Sequence, residues 1–554
     1  MRYIATTILI VFASSVAIAQ PSKWFKKARK AQLNIITYDA SGQMLRSTNG
    51  FYIDSDGTAL TDYASLRGAV RAVAIDESGK EWPVSSVAGA SSLYDVAKIK
   101  VAANKVTPLS IATSLSSKGD QAYVMPYLSS KAVAPTIVNI DKVETFNDQY
   151  AQYTLPFKAP ELTTSCPVMN ETGEVIGLLQ LAVGNIADCS YALSAAFARD
   201  LSISALSATM SDYRELLLKK SMPTDVDQAR SFIYLTGSRD TALYLSYLDD
   251  FIAAFPRETS GYTMKAEMLA AKGEYSGADD TWNAGLKAKA KKAELLYSRA
   301  RTIYGAIQSR TALPTDWTLE QASAFIDEAL SEDPSPVYTA LKGHLLYALK
   351  DYAAACENFL AVTHTPMRDA SYFLYASQCQ QLLGDTTAVI ALQDSAVACF
   401  QKPFPVEAAP SLLMRAQTRL SMGHYRLAVS DLIDYEHLKL GELNANFYYQ
   451  REQAELKCRM YQQALSDIEH AATMEPNEPL FQAELASLYY RFNMPDEAIS
   501  AARKAIILDE SFADAWRILG VALKTKGDKR GAAEAFDKAI SLGDEMSKTL
   551  KEHN

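Results

Sequence analysis

The chain has 554 residues, too many for one hydrophobic core, and at roughly 100–200 residues per domain it requires several units or a long repeat array. Hydrophobic residues make up 48% and charged residues 21%, which excludes an intrinsically disordered chain. A formal net charge of -9 excludes the broad basic face that general nucleic-acid binding needs, so no nucleic-acid partner is expected.

Residues 1–19 read as a signal peptide. Arg2 gives a positive start, Ile4 to Val16 form an apolar and small-residue run, and Ala17-Ile18-Ala19 supplies a cleavage site with Gln20 as the new N-terminus. The run is shorter than the ~20 residues of a membrane span. No cysteine stands directly after the cleavage site, and no later stretch is apolar enough to cross a bilayer. The expected location is outside the cytoplasm, periplasmic or cell-envelope associated, with no transmembrane span in the mature protein.

The run Lys26, Lys27, Arg29 and Lys30 follows Trp24 and Phe25 and predicts an amphipathic starting helix packed on the domain behind it. From residue 31 to about 200 the pattern is one of short strands. Segments such as LNIITYD, GFYIDSDGTALTD, RAVAIDES, YDVAKIKV, QAYVMPYL, PTIVNIDKV and EVIGLLQLAV alternate apolar and polar residues between Gly, Asp and Ser turns. Many short strands with few helices predict a barrel or sandwich over 20–200. Cys166 and Cys189 are the two cysteines of this half and are expected to bridge in an oxidising compartment. The other four, Cys356, Cys379, Cys399 and Cys458, read as small apolar residues of helices, with a pair among them as the alternative. No Cys or His spacing suggests a metal site, and no cofactor is expected. A linker helix is predicted over 201–224, carrying Asp212, Tyr213, Glu215 and Leu216 to Leu218 and ending through Lys219-Lys220-Ser221-Met222-Pro223.

From 225 to 546 a helix-turn-helix pattern recurs. Its marker is a small residue where two helices cross: Ala278, Ala322, Ala355, Ala388, Ala428, Ala464, Ala498 and Ala532. The last two steps are 34 residues, and those from Ala322 to Ala388 are 33. The final unit carries Trp516, Leu519, Gly520, Ala532, Phe536 and Ala539 at characteristic spacing. This part resembles the tetratricopeptide repeat (TPR) family over about 320 residues, and the resemblance implies an all-α solenoid of about eight or nine units that binds other proteins or peptides. Residues 547–554 read as a polar cap. Interruptions fall at Ser309 to Trp317 and Gln401 to Ala408, and Glu452 stands where the family has Gly or Ala. The concave groove that such a solenoid presents would be lined in its last three units by Tyr449, Gln453, Leu480, Ala483, Ser487, Arg491, Arg517 and Lys524.

In the first half, the order of motifs resembles the trypsin-like double β-barrel of bacterial periplasmic quality-control proteases. Gly50 to Gly57 resembles the strand pair before the catalytic histidine, and Leu60-Thr61-Asp62-Tyr63-Ala64 the segment that ends in it. Leu93 to Ala97 resembles the aspartate motif, Leu162 to Pro167 the nucleophile loop, and Gly173 to Gly177 the strand after it. The resemblance implies a triad at Ala64, Asp95 and Thr164, and that triad is degenerate. Ala64 replaces the base, Thr164 the serine, and Leu162 the glycine that donates one oxyanion N–H, while Ser165 and Cys166 replace two more glycines. The first histidine of the chain is His344, so the domain holds no substitute base. Loss of a triad member removes ~10⁴ or more in rate. The expectation is an exported, non-catalytic scaffold or adaptor, a pseudoprotease barrel joined to a TPR groove. The alternatives are a peptidase working through Thr164 and a glycan-binding envelope protein with a Tyr-rich groove.

Overall fold

The computed structural model describes residues 23–127, 134–182, 188–237, 240–309, 312–439 and 441–552. The signal peptide read at 1–19 lies outside them. No described helix is long and apolar enough to cross a membrane.

The chain divides into two compact units at Lys291–Lys292. In the first, a helix at Lys23–Ala31 leads into thirteen strands: β1 (Gln32–Tyr38), β2 (Met44–Tyr52), β3 (Thr58–Thr61), β4 (Arg71–Ile75), β5 (Glu81–Ser91), β6 (Val96–Val101), β7 (Gln121–Val124), β8 (Thr136–Asn139), β9 (Lys142–Phe146), β10 (Tyr150–Leu155), β11 (Pro167–Met169), β12 (Val175–Leu181) and β13 (Ser190–Ser194). The first six close into a barrel in the order β1-β2-β3-β6-β5-β4. Its interior is filled by alternate residues such as Leu33, Ile35, Ala59, Val87 and Ile99. The remaining seven form a sheet ordered β8-β7-β11-β12-β13-β10-β9. The second barrel expected from the sequence is thus an open sheet among the described residues, because β8 and β9 stand at its two edges. The starting helix forms as predicted, and its Trp24 packs edge-on against Tyr123 of β7 with ring centres 5.6 Å apart.

The linker departs from the expected single helix over 201–224. A 3₁₀ turn at Ala205–Ala208 and one helical turn at Ser211–Arg214 give way to extended chain. That chain adds to β5 in parallel: the Val87 N–H donates to the Lys219 carbonyl and the Ser221 N–H to the Val87 carbonyl, both at 2.8 Å. The pairing falls beyond the point where β4 leaves β5: β4 pairs with Glu81 to Pro83, so the same edge is open at Val87. Helices Val226–Thr236 and Thr241–Ala254 follow, and their Phe232, Ile233, Tyr247 and Phe251 enter the same core as the barrel residues. The helices Thr259–Ala271 and Tyr275–Lys287 complete this unit. The compact unit therefore extends past residue 200 to Lys291.

The second unit consists of helices that each pack on their sequence neighbours, the arrangement of a one-dimensional repeat array. The pairs are Lys292–Gln308 with Leu319–Glu332, Pro336–Ala348 with Tyr352–Thr363, Ala370–Leu383 with Thr386–Val397, and Ala409–Ser421 with Tyr425–Leu438. Three more follow: Ala445–Lys457 with Tyr461–Met474, Pro479–Arg491 with Pro495–Leu508, and Ala513–Thr525 with Lys529–Ser541. Met546–Glu552 ends the array as a short helix. With the two pairs of the first unit, nine pairs lie among the described residues. The crossing markers behave as the spacing requires. Ala322, Ala355, Ala428, Ala464, Ala498 and Ala532 are fully buried, and Ala388, close to the start of its helix, is half-buried. Gly343 and Gly520 are small for a stated reason: a Cβ there would lie 2.7 Å from the Phe359 ring and 2.5 Å from the Phe536 ring.

Candidate functional site

The three positions read as a degenerate triad lie on three connections of the first unit. β3 delivers Asp62 and Ala64 at its exit, the β5–β6 turn delivers Asp95, and the segment before β11 delivers Thr164 to Cys166. Asp95 sits at φ +47°, and its Oδ1 accepts the Ala64 N–H at 2.8 Å. The sequence pairing of these two positions is therefore realised in space. The backbone half of the aspartate–base contact survives, and the imidazole half has no side chain to make it. Arg46 donates to the Ala64 carbonyl from the other side. Burial raises the Asp95 carboxyl above its ordinary pKa, the Ala64 N–H partly opposes this, and the Asp62 charge adds to it.

Thr164 is turned in on its own loop. Its Oγ1 donates to the Glu161 carbonyl at 2.8 Å and its N–H to the same oxygen at 3.2 Å. The hydroxyl that would attack and one N–H that would stabilise an oxyanion are thus already committed. Ser165 sits in the left-handed region (φ +62°) that favours glycine, and its side chain is tied down. Its Oγ donates to Asp62 Oδ1 at 2.9 Å, and its N–H donates to the Leu179 carbonyl at 2.8 Å. Asp62 also receives the Thr48 hydroxyl and the Ser65 N–H. Asn49 Nδ2 donates to the Leu162 and Thr164 carbonyls, each at 2.8 Å. Asp62 and Asn49 hold the loop shut, and both went unassigned in the sequence.

The Cys166–Cys189 bridge is not formed; both thiols are free. Cys166 lies opposite Leu179 of β12, and Cys189 lies just before the Ser190–Leu181 pair of β13 and β12. One strand stands between them, so their Cα atoms are about 10 Å apart or more, beyond the ~7 Å reach of a disulfide. Burial pushes the Cys166 thiol up to about 12, which makes it a poor nucleophile.

In the second unit the groove residues named from sequence are largely engaged. Tyr449 packs on Phe481 with ring centres 5.5 Å apart, and Gln453 donates to Glu452 at 2.8 Å. Arg491 lies over the Tyr461 ring, and Arg517 is bound by Asp514 and Asp544. Lys524 reaches the Leu550 carbonyl at 3.4 Å. Leu480 and Ser487 are half-buried, and Ala483 is buried. A more receptive site lies earlier in the array, on the first helices of three successive pairs. Tyr304 and Gln308, His344 and Tyr347, and Tyr375 and Gln378 line a cavity of about 360 Å³ floored by Phe359. The His344 ring meets Tyr375 at 4.8 Å and Phe359 at 5.0 Å, both edge-on. Burial lowers the His344 pKa, so the imidazole is neutral at pH 7 and the cavity carries no charge of its own. Aromatic residues recurring on the first helix of successive units were the available sequence signal.

No curated protein matches the chain. Among solved structures it is similar to the Rv3671c protease of M. tuberculosis in its active form, at 17% identity and a TM-score of 0.29, over 35% of this chain and 89% of that one. It is also similar to YrrB, described as a TPR protein with an unusual peptide-binding site, at 20% identity and a TM-score of 0.31, over 36% of this chain and 100% of that one. A third is MamA, at 22% identity and a TM-score of 0.27, over 31% and 96%. Residues 48–178 match the family model of the trypsin-like peptidase domain. The chain thus carries a trypsin-like peptidase domain in its N-terminal part, followed by an array of paired helical repeats.

Proposed function

We propose that this is an exported, non-catalytic scaffold or adaptor that binds other polypeptides through its helical array, with the trypsin-like domain as an accessory binding module. One observation carries the reading. The base position is Ala64, which has no imidazole to take a proton, and the Asp95 carboxyl is left with the Ala64 N–H as partner. Three further features support it: the Thr164 hydroxyl turned onto Glu161, the Asp62 and Asn49 bonds that hold the loop, and the absence of histidine before His344. The binding half rests on the aromatic cavity of Tyr304, His344, Tyr347 and Tyr375. Tyrosine supplies large contact area at low entropy cost and recurs among the anchors of protein interfaces.

The test is capture by the full chain from an envelope extract of the producing cell. Intact polypeptides are expected to be retained, with retention falling at least ten-fold in Tyr304→Ala/Tyr375→Ala and unchanged in Thr164→Ala. Shortened products, or loss of capture in Thr164→Ala, would contradict the proposal. The amide and aromatic lining also suits a sugar ring, and retention of polysaccharide with no polypeptide would favour that reading instead.

A further inference from the structure

Three consecutive helices of the second unit, Ala445–Lys457, Tyr461–Met474 and Pro479–Arg491, enclose carboxylates that the available cation does not serve. Glu452 and Glu455 lie on the inward side of the first helix, 0% and 2% exposed. Among the described residues, Glu452 Oε1 and Glu455 Oε2 have no hydrogen-bond partner. Arg451 is the cation beside them, and it is spent elsewhere. Its Nε and Nη2 hold Asp467 of the second helix at 2.7 and 2.8 Å, and its Nη1 holds Glu436 of the helix Tyr425–Leu438 at 2.6 Å. Glu455 comes no nearer to it than 4.0 Å, and its carboxyl shares a hydrogen bond with that of Asp467. The other oxygen of Glu452 accepts from Gln453. From the third helix Glu484 adds negative charge toward Glu452, and Glu484 itself faces Asp514 and Arg517 of the helix Ala513–Thr525. His470, on the second helix, lies against the Tyr448 ring at 4.2 Å.

An isolated carboxylate in such a site costs several kcal/mol or more, so the group keeps its proton instead. Burial, with like-charged neighbours adding to it, pushes Glu452 and Glu455 up to about 8 each. Burial raises Asp467 and Glu484 as well.

We propose that Glu452 and Glu455 form a proton-held latch: protonated, they sit as neutral groups that keep the three helices closed, and in mildly alkaline solution they ionise beside Asp467 and Glu484 and loosen them. The sign follows from linkage. The folded chain keeps these protons to higher pH than the unfolded chain, whose glutamates titrate near 4.5. The stabilisation is therefore fully present below about 4.5, falls as pH rises, and is gone above about 8.

Hydrogen exchange of the full chain tests this, read by mass spectrometry on segments from 445–491 at pH 6 and pH 9 and corrected for intrinsic rates. Protection there is expected to drop at least ten-fold at pH 9. In Glu452→Gln/Glu455→Gln, where the amide imitates the protonated group, it should stay equal at both pH values. Each single variant should retain part of the drop and serves if the double variant does not fold. The exposed Glu497→Gln should behave as the wild type. Equal protection of the wild type at both pH values, or a drop that survives in the glutamine variants, would overturn the latch.

Discussion

Ala64 removes more than a side chain. In a working triad the aspartate orients a base and stabilises its charge; here Asp95 is left with a backbone N–H as its partner and a carboxyl raised by burial. Restoring the imidazole does not restore the site. The Thr164 hydroxyl and N–H both face the Glu161 carbonyl, and Leu162 occupies the glycine position of the oxyanion loop. Ala64→His, alone or with Thr164→Ser, is therefore expected to leave fluorogenic-peptide cleavage at the background of the wild type. A rise of ten-fold or more would show that the loop is not held as described. Ala64, Asp95 and Thr164 can be proposed from sequence because each lies inside a short local motif. Asp62 and Asn49 cannot, since their partners lie 103 to 115 residues away and only the tertiary fold brings them together.

At the level of elements, the helical array was legible in proportion to its local character. A repeat of 33–34 residues with a small residue at each crossing follows from helix geometry and close approach alone. The Gly520–Phe536 contact shows the constraint at one crossing. Gly520→Ala places a methyl 2.5 Å from the Phe536 ring, and the expected cost is about 1–3 kcal/mol, read as a lower denaturation midpoint with an unchanged slope. A midpoint at or above that of the wild type would mean that the two helices are not this close. The segment at 201–224 reads as a helix in sequence because Leu216 to Leu218 has helical propensity, whereas the edge of β5 left open beyond Pro83 offers Lys219 and Ser221 backbone partners that sequence does not reveal. The Cys166–Cys189 pair was misread because register, and not count, decides which cysteines meet.

For the molecule as a whole, the distribution of chemistry along the chain is the informative feature. All six histidines fall at or after His344, within the helical unit, and the unit with the trypsin-like domain has none. Residues 48–178 match the trypsin-like peptidase domain, and the segment holds Asp95 and the left-handed Ser165 but no histidine. The helical unit offers an uncharged aromatic cavity and, further on, a cluster of buried carboxyls, two of whose oxygens have no hydrogen-bond partner among the described residues. Both features belong to recognition and its control more naturally than to bond cleavage. The central claim, that the chain works by binding and not by hydrolysis, is tested most directly by a fluorophosphonate probe on the intact wild-type protein. The account predicts no labelling above a heat-denatured control. Labelling that maps to Thr164 and is lost in Thr164→Ala would contradict it.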